Sequence, residues 1–519
     1  MGHIVIDPVT RIEGHLKIEA VVEKGIVKEA RSSWMLFRGI ETILRGRDPR
    51  DAQYYTQRIC GVCPTSHSMA ATLSLDSAFG IADKIPDNGR IIRNLILGAA
   101  HVSDHILHFY HLAALDYVDI GAVAGYEGND PALLSVKKFA LEGDPVPFLP
   151  RYKGDYRLSK EQNLAALSHY LQALEMRRKG HEMLAIFGGR IPHNNAIVPG
   201  GVSEVPTVHK IASFLWMLNE LRDFINSVYI PDLVMVAEAY KDYCEIGRGC
   251  GHLLSYGNYD LDGKVADYGK RKRLLASGTV DSSLRLEPLD TNKITEDVMH
   301  SWYQDVPPLQ PLEENAPQPQ VDKKGAYSFI KSPRYQGQVY EVGPLARLAV
   351  TYVSGDPTAK ALVDGALSTL KASPNALFSV AGRHLSRALC CKIIADAMPA
   401  WLLQLKIGEP AYLPHTIPDE AKGVGLVDGA RGALAHYIEI KGKKIANYQC
   451  VVPSTWNLCP RDKDGNPGPV EQALEGTRVK DEANPIELVR IVRSFDPCIA
   501  CAVHIVTPKG NIRGKYIVS

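Results

Sequence analysis

Hydrophobic and polar positions alternate with period two at the start of the chain. His3 to Ile6 and Leu16-Lys17-Ile18-Glu19-Ala20-Val21-Val22 read as strands, with a turn at Glu23-Lys24-Gly25. The period then lengthens to that of a helix over Ser68 to Phe79. A second helix, capped by Asn88, runs through Ile91-Ile92-Arg93-Asn94-Leu95-Ile96-Leu97 to about Leu115. Gly143, Pro145, Pro147 and Pro150 mark a loop. Ser159-Lys160-Glu161-Gln162 has the form of a capping box and opens a helix that runs toward Gly180 or beyond and ends at Gly188-Gly189. Thr207 starts another long helical pattern, with Pro231 as a kink or break. From about Ser255 to Val342 the pattern changes to short alternating segments, with an extended surface excursion over 307–320. Helical periodicity returns at Pro344, with helices over 358–372 and 376–404. The chain beyond Pro410 reads as loop-rich, and Glu487 to Ser494 as a short amphipathic helix that delivers Cys498. The fold class expected is α+β and mainly helical: a long central helix bundle with small peripheral sheets.

Composition narrows the functional classes. In 519 residues, 45% are hydrophobic and 23% charged, and the formal net charge is +1, so nothing electrostatic favours nucleic acid or an anionic membrane. Length alone suggests about three domains at ~150 residues each. No apolar run reaches the ~18 residues needed to cross a bilayer. The start lacks the basic and apolar regions of a signal peptide, so export would depend on a partner's signal. Ten cysteines are too dilute for a disulfide scaffold. Cys390 and Cys391 sit in an apolar helical run as small buried hydrophobes. None of the cysteines outside the two pairs described next repeats an iron–sulfur spacing, so no such cluster is expected in this chain.

The chemistry concentrates at the chain ends. Arg58-Ile59-Cys60-Gly61-Val62-Cys63-Pro64-Thr65-Ser66-His67 and Asp496-Pro497-Cys498-Ile499-Ala500-Cys501-Ala502-Val503-His504 are both C-x2-C pairs followed by a histidine. Two intervening residues let both sulfurs of a pair turn toward one point, which makes each pair half of a metal site. Halves more than 400 residues apart make sense only if the fold brings the N- and C-terminal segments together at a buried metal site. Spacing alone leaves open a structural zinc, a redox-active metal and dithiol chemistry. Other segments are ambiguous when taken singly. Arg11-Ile12-Glu13-Gly14-His15 reads as a solvated turn, and Arg38-Gly39-Ile40-Glu41 as a surface ion pair. His101, His105, His108 and His111, with Asp104 among them, form either a metal face or, more commonly, hydrogen-bonded core positions.

Together these segments resemble the large, catalytic subunit of the nickel–iron hydrogenases. Arg-Ile-Glu-Gly-His at 11–15, Arg-Gly-x-Glu at 38–41, Arg-x-Cys-Gly-x-Cys-x3-His at 58–67, Ala-Arg-Gly-Ala-Leu-Ala-His at 430–436, Val-Val-Pro-Ser-Thr-Trp-Asn at 451–457 and Asp-Pro-Cys-x2-Cys-x2-His at 496–504 match the family's signatures in order and across nearly the whole chain. His105-Ile106-Leu107-His108-Phe109-Tyr110-His111 resembles its respiratory, uptake-type members. The resemblance implies one catalytic domain over 1–504, with 505–519 as a maturation peptide. It implies Cys60 and Cys498 as terminal nickel ligands, and Cys63 and Cys501 as bridges to an iron carrying carbon monoxide and cyanide. Arg431 would stand over the open coordination position, and Pro453 and Ser454 would meet a cyanide. Glu41, His504 and the carbonyl of Cys450 would hold magnesium or iron, a chemically sound set for a hard cation.

The activity so implied is reversible heterolysis of dihydrogen to protons and electrons. Its catalytic residues would be Cys498 or Arg431 as base and Glu13 as proton gate, a carboxyl whose affinity for protons rises near thiolates and away from water. Electrons would leave through an iron–sulfur small subunit in an obligate heterodimer, or a dimer of such heterodimers. That partner would carry any export signal and set a periplasmic or membrane-associated location, with the cytoplasm as the other possibility. A maturation protease and nickel-insertion chaperones complete the implied partners. A selenium-containing subgroup has selenocysteine where this sequence has Cys498. The alternative function is a hydrogen sensor with the same site and low turnover.

Overall fold

A computed structural model describes residues 2–142, 155–313 and 318–498. Cys501, His504, the segment 505–519, the loop prolines at 145–150 and residues 314–317 of the expected excursion lie outside the described residues. The expected N-terminal strands are present. β1 (Gly2–Ile6) pairs antiparallel with β2 (Leu16–Glu23), which pairs with β3 (Ile26–Trp34). Leu16, Ile18, Ala20 and Val22 alternate into the core as period two demands. Lys24 and Gly25 both take positive φ, the conformation a two-residue hairpin turn requires.

The long helices pack on one another as a bundle. A short α1 (Ile40–Leu44) precedes the first cysteine motif, and α2 (Pro64–Ala78) begins directly after Cys63, with Pro64 at its start, where the missing N–H is harmless. α3 (Asp87–Leu107) is buried along most of its length and continues through a wider π turn over His108–Ala113 to Asp116, close to the end expected. Asn88 does not cap it. Its side chain instead donates to the carbonyls of Lys406 (2.8 Å) and Glu409 (3.0 Å) and accepts from Lys406 N–H (3.0 Å), tying α3 to a later loop. α4 (Lys160–Gly188) has the reciprocal capping box of Ser159 and Gln162 and stops at Gly189 in positive φ, as its sequence predicts. α5 (Val208–Phe224) starts at the Thr207 cap, and a π turn over Ile225–Tyr229 leads into Ile230–Ala239, which has Pro231 in its first turn. α6 (Val380–Gln404) completes the bundle and buries Cys390 and Cys391.

One stretch departs from expectation. The chain beyond Pro410 is an antiparallel sheet, β4 (Glu420–Gly429), β5 (Gly432–Lys441) and β6 (Lys444–Val451), where loops were expected. Glycines that read as loop signals are sites of close approach to α2. A Cβ on Gly423 would lie 2.2 Å from the carbonyl oxygen of Ser74, and one on Gly425 would lie 2.1 Å from that of Ala70. Gly425→Ala should therefore destabilise the protein by about 1–3 kcal/mol, the usual penalty of overpacking. Gly365→Ala, with nothing within 4 Å of the new methyl, should not. Thermal denaturation of the two variants checks this, and equal melting temperatures would contradict the packing described.

α7 (Pro453–Leu458), α8 (Pro469–Leu474) and α9 (Ile486–Ser494) return the chain to the N-terminal sheet. Glu471 of α8 is wholly buried and accepts from Ser32 N–H (3.0 Å), Tyr327 O–H (2.8 Å) and Gly468 N–H (3.2 Å). Burial outweighs these bonds and raises its pKa to about 7 from an ordinary 4.5. A raised carboxyl pKa means that the folded state binds the extra proton. Its stabilisation is complete below pH 4.5 and is lost as pH climbs through 7, on the order of 3 kcal/mol for this one group. Glu471→Gln should flatten that part of the stability profile. A slope unchanged from the parent between those pH values would contradict the assignment.

α9 carries the amphipathic pattern expected, but its polar face is not solvated. Arg490 and Arg493 are buried. Arg493 meets Asp116 at 2.5 Å and donates to the carbonyl and hydroxyl of Thr10 at 2.9 and 3.1 Å, while Arg11 meets the same Asp116 oxygen at 2.5 Å. Arg490 pairs with Asp155 and lies over the rings of Tyr117, Tyr240 and Tyr243. Through Asp116 the two ends of the chain are bound to one point.

Candidate metal centre

Three of the four motif cysteines converge. Cys60 Sγ lies 3.3 Å and Cys63 Sγ 3.9 Å from Cys498 Sγ, and all three sulfurs fall within 4.8 Å of one another. These separations far exceed the ~2.05 Å of a disulfide and suit ligands gathered around a common atom. All three residues are buried. The first loop is shaped by the N–H groups of Val62 and Cys63, which point at Cys60 Sγ (3.2 and 3.4 Å), and by Arg38, whose guanidinium donates to the carbonyls of Arg58 and Ile59. The second is shaped by Asp496, whose positive φ turns the chain off α9, and by Ser454 Oγ, which accepts from Cys498 N–H at 3.1 Å.

Glu13 reaches the same place. Its N–H donates to the carbonyl of Pro497 at 3.3 Å, its backbone bridges Cys498 in parallel, and its Oε2 lies 3.5 Å from Cys498 Sγ. The pentapeptide that reads as a solvated turn is thus part of the site.

Arg431 stands at the turn between β4 and β5. Arg347, absent from the sequence-derived set, clamps that turn by donating to the carbonyls of Gly429 (2.5 Å) and Ala430 (2.9 Å). Gly432 allows the turn to close, because a Cβ there would lie 2.3 Å from Gly343 N. Arg431 faces Asp496 (3.0 Å) and Asp104 (3.7 Å). Burial works against its charge, but Asp496, Cys498 and Asp104 outweigh burial and hold it firmly protonated. Burial raises Asp104 to about 7, with Arg431 opposing. Asp496 and Asp104 were legible only as motif neighbours. Pro453, Ser454, Arg431, Cys63 and Cys498 share the lining of one small cavity of about 10 Å³.

A second cavity, of about 40 Å³, is lined by Glu41, Glu296, Lys331 and Cys450 among others. Glu41 accepts from Cys450 N–H at 2.8 Å, and burial raises its pKa against the pull of Lys331. Glu296 pairs with Lys331 through Oε2, and its buried Oε1 has no hydrogen-bond partner among the described residues. The histidine-rich helix holds core histidines. His101 meets Tyr259 Oη (2.6 Å), His108 the carbonyl of Arg493 (2.8 Å) and His111 that of Tyr170 (3.3 Å). Burial lowers all of their pKa values, so the rings are neutral.

Comparison with known proteins gives the family. The family model described as nickel-dependent hydrogenase matches residues 38–504, and one described as HoxL-like matches 3–35. The chain is 41% identical to the periplasmic [NiFeSe] hydrogenase large subunit of Desulfomicrobium baculatum, over 97% of this chain and 95% of that one. It is 38% identical to the quinone-reactive Ni/Fe-hydrogenase large chain of Wolinella succinogenes, over 99% and 98%. The solved Ni-Fe-Se hydrogenase of D. vulgaris Hildenborough in the reduced state superposes with a TM-score of 0.85 at 44% identity, covering 97% of this chain and all of the matched one. The α+β, mainly helical architecture is therefore that of these large subunits, and the chain belongs to the nickel-dependent hydrogenase family as a hydrogenase large subunit.

Proposed function

We propose that this subunit oxidises dihydrogen reversibly at a nickel–iron centre that Cys60, Cys63 and Cys498, together with Cys501, would hold, Cys60 and Cys498 as ligands of nickel and Cys63 and Cys501 as ligands shared with iron. The observation that carries the proposal is the convergence of three buried sulfurs from the two chain ends, with Glu13 Oε2 at 3.5 Å from one of them. The donor set fits. Soft thiolates suit nickel and low-spin iron, and the adjacent Arg431 favours their ionised form. When bound, the bimetallic centre supplies the Lewis acidity and redox capacity that heterolysis needs.

The chain's own residues do the rest. Cys498 Sγ accepts the proton released and hands it to Glu13, whose carboxyl relays it outward. Arg431, fixed by Asp496 and Asp104 and too strongly paired to serve readily as a base, would hold a fixed positive charge beside the sulfurs of Cys63 and Cys498. Pro453 and Ser454 line the cavity in which the iron's carbon monoxide and cyanide would lie. Glu41 and the carbonyl of Cys450, with His504, form a site for magnesium or iron, and the unpartnered Glu296 Oε1 favours a hydrated cation there.

Electrons pass to a small subunit with iron–sulfur clusters, which also sets the location as periplasmic or membrane-associated. The names of the relatives support this, one being periplasmic and one quinone-reactive. No helix among the described residues is long and apolar enough to cross a membrane. The family match ends at residue 504, which supports removal of 505–519 by a maturation protease after chaperones insert nickel. Turnover is favoured over hydrogen sensing, since relatives of this kind are uptake, quinone-reactive and periplasmic enzymes. Infrared spectroscopy of the purified complex, with nickel and iron analysis, tests the proposal. Bands of metal-bound carbon monoxide and cyanide with nickel present are expected, and zinc without nickel would overturn it.

A further inference from the structure

Three side chains from distant elements meet away from the metal centre. Tyr110 stands in the π turn after α3, His169 on α4 and Asp232 in the helix over Ile230–Ala239. Tyr110 O–H donates to Asp232 Oδ2 at 2.7 Å, and His169 Nδ1 meets the same oxygen at 2.9 Å and Oδ1 at 3.0 Å. A carboxylate only accepts, so both partners donate to it. The tyrosine is 1% and the aspartate 6% exposed, whereas the histidine side chain is 28% exposed. One carboxylate thus joins an interior phenol to an imidazole that reaches the surface. We infer that Tyr110 is a redox-active tyrosine, which gives an electron to a one-electron oxidant and, in the same step, its proton to Asp232.

The hydrogen-bond partner sets this tyrosine apart from its neighbours. A phenol that loses an electron becomes a strong acid, and a neutral radical forms only where a base within hydrogen-bond reach takes the proton. Tyr229 donates to the carbonyl of His105, and Tyr240 to those of Tyr117 and Asp155, and an amide carbonyl is too weak a base for that task. Tyr110 alone of these three faces a carboxylate. Burial and the neighbouring charge of Asp232 both raise its pKa, so the phenol keeps its proton until the electron leaves. The step balances: Tyr110 loses one electron and one proton, the oxidant gains the electron, and Asp232 gains the proton. A one-electron reductant in solvent, such as a thiol, returns the electron, and Asp232 returns the proton.

Rings in contact lead from Tyr110 toward the sulfurs. Ring centroids of Tyr110 and Phe109 lie 5.0 Å apart and those of Tyr110 and Tyr229 5.8 Å, while Phe109 lies 6.3 Å from His384, which stacks on His108 at 5.5 Å. All fall within the ~4.5–7 Å of aromatic contact. His108 stands one helical turn beyond Asp104, which faces Arg431. An oxidising equivalent that arises near the sulfurs, as from partly reduced oxygen, therefore has a row of rings to a residue that is restored afterwards. A cysteine carried past the sulfenic stage is not restored by simple thiols. The chemistry at Tyr110 itself needs only these three side chains and does not rest on the metal site.

The test oxidises the purified complex with flash-generated ruthenium(III) tris(bipyridine) and reads tyrosyl radical by electron paramagnetic resonance. The parent should give a long-lived tyrosyl signal, because a buried phenoxyl is shielded from coupling with others. Its decay should be slower in heavy water, since the proton on Asp232 must return. Tyr110→Phe should lose the long-lived signal. Asp232→Asn should lose it as well, although an amide oxygen in the place of Oδ2 still accepts from Tyr110 and His169 and so keeps both contacts. A purely structural row would leave the radical in place in that variant. The inference is overturned by a parent without the long-lived signal, or by an undiminished signal in Tyr110→Phe or Asp232→Asn. Equal decay of the parent signal in light and heavy water would overturn it too, whatever the stability of the variants.

Discussion

Glu13→Gln lowers hydrogen turnover by at least ~10²-fold while leaving nickel and iron content as in the parent, because a positioned acid–base group contributes typically 10²–10⁴-fold. The expectation comes from where the backbone puts this carboxyl. The N–H of Glu13 is held by the carbonyl of Pro497, next to Cys498, and Oε2 faces Cys498 Sγ at 3.5 Å. Glutamine keeps the shape and can still accept from a thiol, but it cannot take the proton on and release it again. The change therefore separates proton exit from metal assembly. Rates with an artificial electron acceptor, measured beside metal content, read the two independently, and Glu13→Asp should fall between parent and glutamine. A Glu13→Gln enzyme reducing the dye at the parent rate would remove Glu13 from the proton route.

Arg493→Leu should destabilise the protein by about 3–5 kcal/mol, the usual effect of leaving one partner of a buried ion pair without the other. Asp116 is buried and faces both Arg493 and Arg11. Burial opposes its charge, yet the two guanidinium groups hold its pKa below the ordinary value. Removal of Arg493 also deletes two hydrogen bonds to Thr10. Thr10 and Arg11 lead directly into Glu13, so the damage should reach the site: a lower melting temperature, lower nickel content and lower activity together. Arg493→Lys keeps the charge but not the fork and should lie between the two. A leucine variant with parent melting temperature and full nickel content would show that the chain ends are held together elsewhere.

Much of this was legible in the sequence, for identifiable reasons. The first strands and the Ser159 helix are local features, set by alternation and by a side chain reaching its own backbone, so they need no tertiary information. The C-x2-C pairs advertise convergent sulfurs by spacing alone. What was not legible depends on partners distant in sequence. Gly423 and Gly425 look like loop residues until α2 is laid against them, and they then prove to be what lets a strand approach a helix. Asn88 looks like a cap, but the carbonyls of Lys406 and Glu409 claim its amide. The arginines of α9 look solvated, and Asp116 and Asp155 make them interior. Arg347 carries no local signal at all, since its role is to hold a turn 82 residues away.

The central claim is that sulfurs from both chain ends share one nickel and one iron. Anomalous diffraction from crystals of the purified complex, collected on either side of the nickel and iron absorption edges, addresses it most directly. The account predicts a nickel peak within bonding distance of Cys60 and Cys498, with an iron peak beside it on Cys63. A nickel-free peak at zinc energy between those sulfurs, or nickel bound anywhere else in the chain, would contradict it.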